Sequence, residues 1–201
     1  MKTNTMIPKL MMAAMMLGLA AAPSQAAVIL SVNPPVSIVN AGATGQFFDV
    51  VMTIDTPSSI QIASFSFGIS ATSDVTFTGV LTSPANYVFS GNSLFAPDIR
   101  TTGNGSTLAA SDITATGLNI TLAGNATYSL GRVYFDLAPS AVGPIAVNFD
   151  LPSTSLSNDA GGAITINSFL PGEIDVAVPE PGTAALFLLA APALAFFRRR
   201  K

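Results

Sequence analysis

Along most of the chain, apolar and polar residues alternate one for one. Phe48, Val50, Met52 and Ile54 alternate with Asp49, Val51 and Thr53, and Phe65, Phe67 and Ile69 with Ser64, Ser66, Gly68 and Ser70. Val75, Phe77 and Leu81 share a face in the next stretch. Leu118, Ile120 and Leu122 then alternate with Asn119 and Thr121, and Val133, Phe135 and Leu137 with Arg132, Tyr134 and Asp136. Ile145, Val147 and Phe149 alternate with Ala146, Asn148 and Asp150; Ile164 with Ile166, then Ile174, Val176 and Val178, complete the series. Successive side chains of a strand point to opposite faces, so each stretch predicts a strand with one dry and one wet side. No part of this body sustains helical spacing. Turn residues separate the strands at Asn40-Ala41-Gly42, Thr56-Pro57-Ser58, Ser90-Gly91-Asn92, Gly103-Asn104-Gly105, Gly124-Asn125 and Asp159-Ala160-Gly161-Gly162. Strands dry on one side pack as two sheets, dry face to dry face. The expectation is an all-β, antiparallel two-sheet β-sandwich of about eight to ten strands, without internal repeats.

Two stretches escape the alternation, one at each end. Lys2 and Lys9 precede thirteen residues, Leu10 to Ala22, that are almost wholly apolar. Ser24-Gln25-Ala26 follows, with small residues at the −3 and −1 positions of a signal-peptidase site. Thirteen residues cannot span a bilayer, which takes about 20. Residues 1–26 therefore read as a removable signal peptide, cut between Ala26 and Ala27. At the other end, Val178-Pro179-Glu180-Pro181-Gly182 leads into fifteen largely apolar residues, Thr183 to Phe197, and then Arg198-Arg199-Arg200-Lys201. As a helix that stretch is about 22 Å long. Snorkelling arginines and local thinning extend its reach towards the roughly 30 Å hydrocarbon core. The cation cluster is stop-transfer chemistry and places the extreme C-terminus in the cytoplasm. Two prolines around Glu180 hold an extended segment at the membrane edge, open to a protease.

With the ends set aside, the net charge becomes far more negative than the −3 of the whole chain. The body from Ala27 to Val178 keeps two basic residues, Arg100 and Arg132, against ten acidic ones, a net charge of −8. Such a body repels phosphate backbones, which excludes nucleic acid as a partner. Cysteine, histidine and tryptophan are absent from the whole chain. Disulfides, thiolate metal sites and Ser/His/Asp triads are thereby closed, and the best sugar-stacking side chain is missing. A two-carboxylate hydrolase is formally open. Yet nine of the ten acids are aspartates, mostly in turns or on polar strand faces, where they protect sheet edges. No catalytic or cofactor-binding residue is expected. A structural calcium is the one metal alternative, at Asn158-Asp159 before Ala160-Gly161-Gly162, with Asp150 as a further oxygen ligand. An ordinary Asp-Gly turn explains the same residues. Tyr87, Tyr128 and Tyr134 are expected at the rim of the sandwich. Asn104, Asn119 and Asn125 each open an Asn-X-Ser/Thr acceptor pattern.

In order and position, Pro179-Glu180-Pro181, the short hydrophobic stretch and Arg198 to Arg200 resemble the PEP-CTERM sorting domain of Gram-negative bacteria, over residues 178–201. That resemblance implies recognition of Pro179, Glu180 and Pro181 by an exosortase, an intramembrane cysteine protease. It makes Arg198, Arg199 and Arg200 the cytoplasmic stop. It also implies transient anchoring by a C-terminal helix, then release to the cell surface or an exopolysaccharide-rich biofilm matrix. The body between, over most of Val28 to Val178, resembles the cohesin-like (jelly-roll type) sandwiches. The likeness lies in the stretches Gly45 to Ile54, Ile60 to Ile69, Val75 to Leu81, Leu130 to Phe135, Gly143 to Phe149, Asp159 to Gly162 and Glu173 to Val176. Where that family turns with a Tyr-Asp pair this chain has Ser70-Ala71-Thr72, so the resemblance carries the fold and no binding residues.

The expected organisation is a signal peptide (1–26), a sandwich (27–177) and a sorting tail (178–201). The expected role is a non-enzymatic envelope or matrix protein, structural or adhesive in association with exopolysaccharide. The alternative is a carbohydrate- or protein-binding module shown at the surface. Signal peptidase and exosortase are its expected processing partners.

Overall fold

The computed structural model describes residues 26–103 and 105–177. The expected signal peptide up to Gln25, Asn104, and the tail with Pro179, Glu180, Pro181, Arg198, Arg199 and Arg200 lie outside the described residues. Ala26 and Ala27 stand immediately ahead of the first strand, where the Ala27 carbonyl accepts the Asp55 N–H at 2.9 Å.

Every regular element among the described residues is a strand. In chain order these are β1 (Val28–Asn33), β2 (Val36–Asn40), β3 (Gln46–Ile54), β4 (Ile60–Ile62), β5 (Ser64–Ser70), β6 (Val75–Leu81) and β7 (Arg100–Thr102). They continue with β8 (Thr107–Ile113), β9 (Ile120–Leu122), β10 (Ala126–Leu137), β11 (Gly143–Ser157), β12 (Ala163–Ile164), β13 (Ser168–Leu170) and β14 (Gly172–Ala177). One sheet has the order β13-β1-β3-β10-β6, the other β2-β14-β11-β5-β8-β7, with β12 paired to β11. A separate ribbon joins β4 to β9. The result is the expected all-β, two-sheet sandwich, with fourteen strands where eight to ten were expected, because several are fragments of two or three residues.

The antiparallel expectation fails in two places, for one reason. β1 and β2 are a single run of chain that changes sheets at Pro34-Pro35, and β13 and β14 a second run that changes at Pro171. Proline lacks the N–H that a ladder needs, so each run is released from one sheet there and taken up by the other. The two runs travel side by side in the same direction, which makes β1–β13 and β2–β14 parallel pairs. At the crossing, a Cβ on Gly172 would lie 2.5 Å from a Val32 methyl. Only glycine allows the two runs to pass this closely.

The predicted dry faces build the core. Phe48, Val50, Met52, Ile54, Phe65, Phe67, Ile69, Val133, Phe135, Leu137, Ile145 and Val147 are all buried. Phe48 meets Phe77 edge-on at 6.3 Å and Phe135 at 5.6 Å. Three assignments need correcting. Leu118 is 62% exposed, because it lies in the turn before the short β9. Leu81 yields its inner place to Val80, since a register irregularity in β6 opposite Tyr134 and Phe135 shifts the alternation by one. Phe149 is only half-buried and pairs across the two sheets with Phe169 of β13, at 5.5 Å.

Candidate interaction face

The outer face of the larger sheet is built almost wholly from hydroxyls and small side chains. Cross-strand pairing sets them in rows: Ser157, Ser64 and Ile113; Ser155, Ser66, Ser111 and Arg100; Asp150, Gly68, Ala109 and Thr102; Asn148, Ser70 and Thr107. Alternation dictates this, since Phe65, Phe67 and Ile69 of the same strand point the other way, into the core. The hydroxyls bond to each other along the rows, Ser64 to Ser157 at 2.6 Å and Ser66 to Ser155 at 3.0 Å. Ser66 also donates to the Ser153 carbonyl at 3.0 Å. No helix or further sheet covers this face among the described residues.

A bulge gives the face relief. Asp150 opposes Gly68 and Ser155 opposes Ser66, so residues 151–154 of β11 stand against Phe67 alone. Pro152 within the bulge has no N–H to lose, and the extra chain arches over Gly68, whose added Cβ would lie 2.7 Å from that of Ser153. Beside this arch lie two shallow depressions. One of about 330 Å³ is lined by Ser66, Ser111, Ser155, Phe95 and Arg100. The other, about 420 Å³, is lined by Ser70, Thr102, Thr107 and Asp150.

Arg100 is the one exposed cation of the described residues, and no side-chain hydrogen bond or ion pair holds it there. The other arginine is fully engaged. Arg132 donates twice to Asp49, at 2.8 and 3.1 Å, and lies 4.1 Å from the centre of the Phe47 ring. The hydrogen bonds to Asp49 push its guanidinium further above its ordinary range. A free guanidinium among neutral donors and acceptors suits a carboxylate or a carbonyl-rich surface.

Directly under the face, Asp112 is 1% exposed. One carboxyl oxygen accepts from the Tyr87 and Ser93 hydroxyls, both at 2.5 Å, and the other from the Ile113 N–H at 2.7 Å. These bonds tie the irregular segment 82–99, with buried Val88, Phe89 and Ile99, to β8. Burial, reinforced by the Asp112 carboxyl, pushes the Tyr87 hydroxyl far above the usual tyrosine range. Tyr87 is therefore a core residue, and its expected place at the rim is corrected. Its ring joins Phe65 and Phe89 in an aromatic cluster at 6.4 Å from each. Asp112, which the sequence placed among solvated acids, was missed as a structural centre. Its only trace was an inward position in the weak alternation Leu108, Ala110, Asp112.

The suggested calcium ligands are not gathered. Asp150 opposes Gly68 while Ser157, next to the Asn158-Asp159 turn, opposes Ser64, about 13 Å further along β5. The Asp159 carboxylate accepts from the Asn119 side-chain amide at 2.7 Å, and Asn119 accepts the Asp159 N–H at 2.8 Å. Asp150 is bonded by Ser153. The turn at 158–162 is closed by the Asn158 side chain accepting the Gly162 N–H at 2.7 Å. Among the described residues, no three acidic side chains converge as a metal site.

This architecture is that of the cohesin-like sandwiches. CaCohA2 from Clostridium acetobutylicum superposes with a TM-score of 0.55 at 19% identity, over 78% of this chain and 95% of that one. The cohesin of a type I cohesin–dockerin complex from Clostridium thermocellum gives 0.56 at 12% identity, over 75% and 99%. A non-cellulosomal cohesin from the archaeon Archaeoglobus fulgidus gives 0.52 at 12%, over 81% and 98%. At these identities the likeness is one of fold. No protein-family model and no curated protein matches the chain.

Proposed function

We propose that this chain is a non-enzymatic protein-binding module, exported and then sorted to the cell surface or its exopolysaccharide matrix by an exosortase acting at Pro179-Glu180-Pro181. The observation that carries the binding half is the open hydroxyl face of β11, β5, β8 and β7 with Arg100 free at its edge. A similar fold occurs in a type I cohesin–dockerin complex, where one protein domain holds another. Glycan recognition has less support. Tyr87 is buried, Tyr128 bonds back to Ala123, and Tyr134 packs on Phe47 at 5.9 Å, so no planar tyrosine row exists among the described residues.

A photoreactive residue in place of Ser66, in the full chain on living cells, is expected to yield one discrete heavier adduct. Arg100→Glu should lower that yield severalfold, and the same probe at exposed Thr121 of β9 should give none. Equal labelling from both positions would remove the face from the proposal. The sorting half is read from intact mass. Material released by wild-type cells should begin at Ala27 and end near Pro181, while a strain lacking exosortase keeps the tail. A tail retained in both strains would defeat it.

A further inference from the structure

β2 is the outermost strand of the larger sheet, and it is not defended as an edge strand usually is. Natural edges carry lysine, an inward charge or a bulge, or are covered by other chain. The edge of β6 is covered: the Phe77 N–H donates to Gly105 and the Val80 carbonyl accepts from Ile99. β7 and β13 are three residues each. β2 reads Val36-Ser37-Ile38-Val39-Asn40, with no charge and no proline inside it. Val36 is 49% and Ile38 76% exposed.

The direction of its free backbone groups follows from the one ladder β2 does make. The Glu173 N–H donates to the Pro35 carbonyl, so residues 35, 37 and 39 bond to β14. Val36, Ile38 and Asn40 therefore turn their N–H and C=O groups off the edge, on the same residues whose side chains face solvent. The Asn40 carbonyl is taken by the Ala43 N–H at 3.2 Å; the others have no partner among the described residues and are open to a new strand.

We propose that a second copy of this chain occupies this edge, the two β2 strands pairing antiparallel about a two-fold axis at Ile38. The register is self-complementary. Each Ile38 exchanges both backbone bonds with the partner's Ile38, and each Asn40 N–H meets the partner's Val36 carbonyl. The two isoleucines lie opposite each other on the outer face, which removes the most exposed apolar side chain of β2 from water. Like charge does not forbid it. Asp175 neighbours Ile38 in its own sheet, so the partner's Asp175 stands three strand spacings away, about 14 Å, beyond the Debye length of about 8 Å at physiological salt. The contact is far smaller than the roughly 800 Å² per partner of a stable complex. Pairing is therefore weak in dilute solution and builds up where copies are dense.

The chain contains no cysteine, so one introduced thiol reports on this contact alone. Opposed residues in such a pair have Cα atoms about 5.5 Å apart, within disulfide range. In the full chain under mild oxidation, Ile38→Cys is expected to form dimers at least about tenfold faster than Leu118→Cys, because pairing raises the local thiol concentration. Val36→Cys mixed with Asn40→Cys should cross-link, and either alone should not. Added salt should speed the Ile38→Cys reaction by screening the acidic surfaces. Equal rates at positions 38 and 118, or linking by Val36→Cys alone, would overturn the proposal. Capture of a different protein at position 38 in place of a dimer would overturn the choice of a second copy.

Discussion

Asp112→Ala is expected to destabilise the fold by about 3 kcal/mol, the cost of leaving several buried donors without an acceptor. The substitution strands the Tyr87 and Ser93 hydroxyls and the Ile113 N–H together. It also frees the segment that carries Val88 and Phe89 into the core. The midpoint of urea denaturation should fall while its slope holds. Asp112→Asn, which keeps shape and one acceptor oxygen, should recover part of the loss; equal stability of the alanine variant and the parent would refute the role. A pH series tests the same cluster from its other side. The folded state holds Tyr87 protonated well beyond the range in which an exposed tyrosine ionises. Its contribution is thus complete below about pH 10 and is lost as pH rises above that value, because only the unfolded chain releases the proton. The parent should lose about 1.4 kcal/mol per pH unit there, and Tyr87→Phe should lack that component.

Gly172→Ala is expected to cost about 2–3 kcal/mol, as an overpacked core site does. The new methyl would meet both the Cβ and a methyl of Val32, at 2.7 and 2.5 Å, and the Cβ cannot turn aside without moving the backbone of β1. The penalty should appear as a fall in thermal midpoint. Val32→Ala in the same chain should restore part of the loss, a coupling that a purely local strain at residue 172 would not show.

How far the sequence reveals this molecule depends on contrast between neighbouring residues. Phe65, Phe67 and Ile69 against serines and a glycine leave no doubt about which side is dry, and the structure buries all three. In β8 the inward positions hold Leu108, Ala110 and Asp112, so the alternation has almost no amplitude and the strand escapes notice. The arch in β11 hides differently. Period-two reading ends at Asp150, because residues 151–154 stand against Phe67 alone, and the three extra residues flip the phase before the strand resumes at Ser155. The hydroxyl face was visible as polar positions but not as a surface, since its rows come from strands far apart in sequence. Asp112 was unreadable because a buried acid and a solvated acid look alike until their partners are placed. The parallel pairs were out of reach for a similar reason. Prolines at 34, 35 and 171 announce breaks, not the sheet in which the chain resumes.

The twin crossings at Pro34-Pro35 and Pro171 have a mechanical consequence. The first and last strands of the body run alongside each other and point the same way, so the N-terminal start at Val28 and the C-terminal finish at Ala177 lie at opposite extremities. A tug between those two points loads both parallel ladders lengthwise. Their hydrogen bonds then resist sliding in concert instead of unzipping singly, so the sandwich is braced against tension applied between its two ends.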